Sequence, residues 1–252
     1  MKIGAQLYTV RDFTKTPEDI EKTLRRIKAM GFNVIQISKF GPCDNELLAD
    51  WIKELELDVC CTHTDWARLA DPTELDLVIA EHKAFGCDQI GLGARPGTLF
   101  DNSYDGYTAF IAELNRIANQ ISAAGMTFAY HNHDFEFERF NGELAIDRII
   151  CECPDLQFIH DTHWVQAGGC NPVSYIHKVR GRMKVCHFKD YKIIDRTRKY
   201  AEVGQGNLDW DAIIAACKET AVPYVVIEQD ADFTDPFNSL KISLDFLNAK
   251  LS

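Results

Sequence analysis

Imidazole and carboxylate side chains gather in five short clusters along the chain. They are Thr62-His63-Thr64-Asp65-Trp66, Tyr130-His131-Asn132-His133-Asp134-Phe135-Glu136, Ile159-His160-Asp161-Thr162-His163-Trp164, His187-Phe188-Lys189-Asp190 and Glu228-Gln229-Asp230. Of eight histidines, only His82 and His177 fall outside them. Mixed nitrogen and oxygen donors can enclose a divalent cation, and the mixture suits manganese, zinc, iron or cobalt better than calcium. Any one of these residues can instead be a loop cap, but Asp161, His187 and Glu228 all follow or end apolar runs. Successive strand residues face opposite ways, so His131 is expected to share a face with His133, and Asp161 with His163, while Asn132 and His160 turn away. Lys189, two residues after His187, can present a cation to a substrate oxygen. Trp66 and Trp164 are broad apolar surfaces suited to covering a ligand ring and excluding water.

The elements that must position these groups alternate. Thr16-Pro17-Glu18-Asp19 supplies a cap, a proline at the first helical position and acids near the positive helix end; Ile20, Leu24 and Ile27 then recur at helical spacing until Gly31. Phe32 to Ile37 reads as a strand. The exchange repeats as Asn45 to Leu55 then Val59 to Thr62, Pro72 to Phe85 then Gln89 to Leu92, and Tyr104 to Ala124 then Thr127 to Tyr130. It continues as Leu144 to Cys151 then Leu156 to Ile159, Pro172 to Val179 then Met183 to Phe188, and Trp210 to Thr220 then Val225 to Ile227, with a last helix from Pro236 to about Leu251. Adding Ile3 to Leu7 makes eight strands and eight helices, about 31 residues per unit of the 252. That count closes a (β/α)8 TIM barrel, an α/β fold that spends about 250 residues on one domain. Gly31, Gly86 and Gly125 are expected to end helices. Gly168-Gly169 and Gly204-Gln205-Gly206 read as turns beyond strand ends. No Pro-, Gly- or Ser-rich linker interrupts the series, so residues 1–252 are expected to form a single domain. In such a barrel the chemistry gathers where the strands' C-terminal ends meet, which is where the clusters fall.

Composition narrows the partners. With 38 acidic and 27 basic residues the formal net charge is -11, the wrong sign for a phosphate-binding footprint, so neither nucleic acid nor an anionic membrane is an expected partner. No apolar stretch approaches a spanning helix, and Met1-Lys2-Ile3-Gly4-Ala5 runs directly into a strand without a signal segment, so a cytoplasmic location is expected. Nine cysteines, an odd number with no CxxC pair, sit mostly in apolar runs and read as free thiols. Neither a P-loop nor a GxGxxG fingerprint occurs, and no nucleotide cofactor is expected.

YHNHDFEF at 130–137, DTHWVQAGG at 161–169 followed by Asn171-Pro172, HFKD at 187–190, GQGNLDW at 204–210 and IEQD at 227–230 occur in one order. Together they resemble the xylose-isomerase-like superfamily of sugar isomerases and epimerases over the whole chain. The resemblance implies one divalent cation, manganese first, with zinc, cobalt, iron or magnesium as alternatives, held by Asp161, His187 and Glu228 as sixth-, seventh- and eighth-strand ligands. The fifth strand departs from the family pattern, because the glutamate generally found six residues after the helix-ending glycine is replaced by His131. Glu136 is the preferred fourth ligand, since a second glutamate carboxylate better neutralises a 2+ ion; His131 or His133 is the alternative. The HNH form is similar to a branch that includes relatives of inosose dehydratases and enzymes cleaving 3-keto-glycosides. The superfamily's three-zinc DNA-repair nucleases need a second ligand cluster and a basic surface, which this chain lacks.

These reactions share one requirement: a carbonyl polarised so that a neighbouring proton can leave. The expected activity is isomerisation or epimerisation of a keto- or aldo-sugar through an enediolate. Elimination from a 3-keto-glycoside or keto-inositol is the alternative, and a non-catalytic metal- or sugar-binding protein a third reading. Glu228 has two oxygens and can bind the ion while shuttling a proton. If Glu136 is a ligand, His133, ahead of His131, is freed as the opposing base, and Lys189 stabilises charge on a substrate oxygen. His63, Trp66, His163 and Trp164 are expected to contact the sugar. A homo-oligomer or a partner subunit completing the site remains open at this stage.

Overall fold

The computed structural model describes residues 1–251. Eight parallel strands form the barrel: β1 (Lys2–Gln6), β2 (Val34–Ser38), β3 (Asp58–His63), β4 (Gln89–Leu92), β5 (Thr127–His131), β6 (Gln157–Asp161), β7 (Val185–Phe188) and β8 (Tyr224–Ile227). Their order around the wall is β3-β2-β1-β8-β7-β6-β5-β4. At the seam between β3 and β4 the amide of Thr64 donates to Gly91 O at 2.8 Å, so the barrel is nearly closed. This is the (β/α)8 architecture expected from the alternation.

The predicted caps account for several helix boundaries. Thr16 Oγ1 accepts from Asp19 N at 3.2 Å ahead of Pro17–Ala29. Gly31, Gly86 and Gly125 follow their helices with φ of 103°, 71° and 77°, a region costly for residues with a Cβ. Further elements sit in loops that the alternation left blank. A 3-10 segment, Leu7–Phe13, follows β1, and short helices occupy Trp66–Ala70 and Thr162–Ala167. Two hairpins pair Arg139–Phe140 with Glu143–Leu144 and Asp190–Ile194 with Thr197–Ala201. The second turns at Asp195 and Arg196, both at positive φ (49° and 63°). Such turns are ordinarily signalled by Asn-Gly or Asp-Gly, and here that signal is missing.

One large apolar layer packs the strands' outer faces against the helices, and a small one fills the barrel lumen. The lumen layer includes Val34, Ala129, Ile159, Val185 and Val226. With a side-chain period of two, the next inward residues toward the C-terminal mouth are Gln36, His131, Asp161, His187 and Glu228. A polar layer therefore rests on an apolar floor. All nine cysteines are free. No helix among the described residues is long and apolar enough to cross a membrane.

Candidate metal centre and catalytic pocket

His131, Asp161, His187 and Glu228 each bring one donor atom into a group whose members lie within 4.8 Å of one another, and all four side chains are buried. His131 Nε2 stands 3.2 Å from Asp161 Oδ2 and 4.0 Å from Glu228 Oε2. His187 Nδ1 stands 3.1 Å from Glu228 Oε2 and 3.8 Å from Asp161 Oδ2. Donors bound about 2.1 Å from one ion lie about 3.0 to 3.4 Å apart, so small side-chain adjustments bring this set onto a common cation.

The tautomers are prepared for it. His131 Nδ1 lies 2.9 Å from Gly93 O, a group that can only accept, so this nitrogen carries the proton and Nε2 presents its lone pair to the cluster. His187 Nε2 donates to Gln36 Oε1 at 2.7 Å, which leaves Nδ1 facing the carboxylates. Asp161 is divided in the same way. Its Oδ1 accepts from Trp164 N at 2.9 Å as the cap of helix Thr162–Ala167, and Oδ2 turns inward. Asn132 Oδ1 accepts from Asp161 N at 3.0 Å and ties β5 to β6 at this level.

Electrostatics favour positive charge here. Lys189 Nζ lies 2.6 Å from Asp230 Oδ2, 3.4 Å from Glu228 Oε2 and 3.9 Å from Asp161 Oδ2. Burial opposes its charge, but those three carboxylates outweigh burial and raise its pKa. Burial alone would raise Asp161 and Glu228; Lys189 and the imidazoles instead hold both well below the usual carboxylate range. His187 is likewise penalised by burial, yet Glu228 and Asp161 lift it to about 9. Without an ion, the carboxylates thus draw a proton onto His187.

Above the cluster opens a cavity of about 300 Å3, walled in part by His63, Trp66, His131, His133, Lys189 and Glu228. His63 Nε2 and His133 Nδ1 are buried without a hydrogen-bond partner. Burial keeps both rings neutral: His63 falls well below its ordinary value, and His133, with His131 and Lys189 adding repulsion, falls to about 3.

The sequence profile of the xylose isomerase-like TIM barrel matches residues 15–250. The chain belongs to that family. Among solved structures, this xylose isomerase-like barrel is similar to a sugar phosphate isomerase/epimerase from Parabacteroides distasonis, with a TM-score of 0.82 and 19% identity over 98% of this chain and 93% of that one. It is similar to the probable 3-DHS dehydratase of Bacillus anthracis, with a TM-score of 0.75 and 15% identity over 98% and 99%. It is also similar to 3-keto-D-glucoside 4-epimerase from E. coli, with a TM-score of 0.69 and 22% identity over 99% of each chain. At these identities the likeness establishes the fold. No curated protein matches the sequence.

Within this family's barrel, the expected residues separate into those the fold brings together and those it does not. Asp161, His187 and Glu228 converge as anticipated from their strand ends, and the fourth member of the cluster is His131 rather than Glu136. The Glu136 carboxylate is engaged elsewhere. It accepts from the Tyr130 hydroxyl and, at 2.7 Å, from His133 N, bracing the loop that carries His133. Burial pushes Glu136 up to about 7 in spite of those bonds. His63, Trp66, His133 and Lys189 line the cavity, whereas His163 and Trp164 are not among its lining. The strand alternation that would set His163 beside Asp161 stops at Asp161, where the chain turns into a helix. His163 instead packs between Tyr191 and Tyr200 of the hairpin, with ring centroids 5.1 and 5.0 Å away. Trp164 packs against His133 at 5.2 Å, with Lys189 Nζ 4.9 Å from its ring.

Gln36 and Gly93 were not anticipated. A fully buried glutamine inside the apolar run Val34–Ser38 was a readable signal for the first, but a backbone carbonyl leaves none.

Proposed function

We propose that this barrel is a divalent-metal-dependent isomerase or epimerase acting on a keto- or aldo-sugar through an enediolate, with His131, Asp161, His187 and Glu228 as the ligands. The observation that carries the reading is the pair of oriented imidazoles. His131 and His187 have their outer nitrogens hydrogen-bonded and their inner ones turned toward two carboxylates, beneath a pocket with unpaired imidazole nitrogens. The mixed donor set suits manganese, zinc, cobalt or iron, manganese being the first choice. A divalent ion supplies polarisation of a carbonyl and compensation for negative charge on its oxygen.

The protein's own groups do the rest. Glu228 belongs to both the cluster and the pocket wall, and its two oxygens let it move a proton while one stays on the cluster. His133 faces the same pocket as a neutral ring, and negative charge growing on a substrate raises its affinity for a proton in that step. Lys189, held charged by its carboxylates, stands ready beside a substrate oxygen. His63 offers a buried nitrogen to a sugar hydroxyl, and Trp66 covers the ring's apolar side.

Elimination is the second reading, favoured by one observation. With His131 on β5, Glu228 is the one carboxylate of the cluster that also lines the pocket, so a shuttle between two such carboxylates is absent. A ketohexose panel and a 3-keto-glucoside, incubated in heavy water with manganese-loaded protein, distinguish the two. Deuterium on the carbon beside the carbonyl, with a new epimer or aldose, supports isomerisation; released aglycone supports elimination. Absence of both with every substrate overturns the enzymatic reading. Elemental analysis should show about one equivalent of manganese on the native chain and none on the D161A/H187A variant; equal content in the two overturns the ligand assignment.

A further inference from the structure

A second cavity, of about 330 Å3, lies against the first. Both are lined by Ser38, Lys39, His63, Thr64 and Asp65, so they are two chambers joined across the ends of β2 and β3. Their chemistry differs. In the inner chamber, His63 and His133 hold buried nitrogens without partners. In the outer one the polar side chains pair with each other: Arg68 with both oxygens of Glu81 at 2.9 and 2.8 Å, Thr62 with His82 at 2.8 Å, and Lys39 with Asp65 at 3.1 Å. Ile37, Phe40, Leu48 and Phe85 supply its apolar walls.

The outer chamber is a built feature of the backbone. Gly41 N donates to Thr14 O at 2.7 Å, and a Cβ at Gly41 would fall 2.0 Å from Lys15 O. The Lys39–Cys43 loop is therefore seated on the neighbouring segment without room for a side chain at its contact. Helices Asn45–Glu54 and Pro72–Ala84 supply Leu48 and His82 to the opposite side. A chamber whose polar side chains are already paired favours an apolar occupant, because a polar group entering it gives up water for few new bonds. Its junction with the inner pocket makes that occupant part of the same molecule.

The geometry points to a glycoside-type substrate: a sugar above the metal cluster, carrying an apolar or aromatic group that fills the chamber between β2, β3 and their helices. The placement of the sugar rests on the function proposed above; the apolar preference rests on the outer chamber alone.

Calorimetric titration of manganese-loaded protein with phenyl β-D-glucopyranoside and methyl β-D-glucopyranoside reads the preference without requiring turnover. The phenyl compound should bind about tenfold more tightly, equivalent to about 1.4 kcal/mol. C43F, which fills the chamber from its rim, and F40A, which removes a wall, should each abolish that advantage and leave the methyl compound's affinity unchanged. Equal affinities, binding of neither compound, or a phenyl advantage that survives both variants overturns the inference. If the phenyl preference holds while no keto-sugar exchanges a carbon-bound proton, the chamber stands and the proposed reaction falls. If exchange occurs without the preference, the reverse is true.

Discussion

Replacing Glu136 with glutamine separates a bracing carboxylate from a metal ligand. Both oxygens are occupied, by the Tyr130 hydroxyl and by His133 N. The side chain is fully buried, and that burial lifts its pKa from 4.5 to about 7. Below pH 4.5 the carboxyl is protonated in the folded and unfolded chains alike, and its full contribution to stability is present. As pH rises toward 7 the unfolded chain releases the proton first, so that contribution is lost. At about 1.4 kcal/mol per pH unit, the loss is about 3 kcal/mol. Glutamine keeps the shape: its carbonyl can accept from His133 N, and its amide can donate to the Tyr130 oxygen. E136Q should therefore match the native protein near pH 4.5 and exceed its stability by about 3 kcal/mol at pH 8, with manganese content unchanged. Urea unfolding followed by tryptophan fluorescence at the two pH values, with metal analysis of each sample, makes the comparison. A stability difference independent of pH refutes the buried-carboxyl argument, and loss of metal from E136Q restores Glu136 as a ligand.

H133Q should keep its manganese but lose at least about 100-fold in proton exchange with heavy water, the lower end for removal of a general base; full activity would exclude His133 from proton transfer. K189M leaves Asp161, Glu228 and Asp230 without their shared cation, and the metal-free protein should lose about 3 to 5 kcal/mol, read by urea unfolding. The same variant should bind manganese more tightly, since a neighbouring positive charge is gone, and weaker binding would contradict the charge argument. His82, pushed down by burial to about 4 and bonded to Thr62 Oγ1 and Val78 O, supplies stability that is present above pH 6.5 and lost as pH falls through 4. Native protein should lose about 3 kcal/mol more than H82Q between pH 7 and pH 4 in urea titrations, and parallel curves would show that His82 charges freely in the fold.

The barrel was legible because its signals are local. Each helix-to-strand exchange carries its own periodicity, and Thr16-Pro17 or Gly125 needs nothing distant to act as a cap or a stop. The hairpin at Asp190–Ala201 escaped for the converse reason. Its turn lacks the usual glycine, and Tyr191 and Tyr200 pack on His163, a residue remote in sequence. The Gly204-Gln205-Gly206 turn was visible as a turn. Its purpose was not, since Asp190 accepts from Gly204 N, Gly206 N and Leu208 N only in the folded chain.

At the metal centre, the limit of sequence reading falls at one residue per strand. Alternation correctly paired inward residues as long as the strand lasted: Ile159 with Asp161, Val185 with His187, Ala129 with His131. It failed for His163, one step beyond the point where Asp161 caps a helix, because helical rotation replaces the two-residue period. Glu136 was favoured as a ligand by charge, since a dication prefers two glutamates, but position overrules charge. A residue five past the end of β5 reaches back to the Tyr130 hydroxyl on the strand's outward side, while His131 at the strand end already faces Asp161. Charge is balanced in a different way. Asp161, Glu228 and Asp230 against Lys189 leave a surplus of two negative charges when ionised, which one divalent cation matches without a fourth carboxylate. A neutral imidazole on β5 is therefore compatible with the site because Asp230, just beyond β8, supplies the charge that the fifth strand does not.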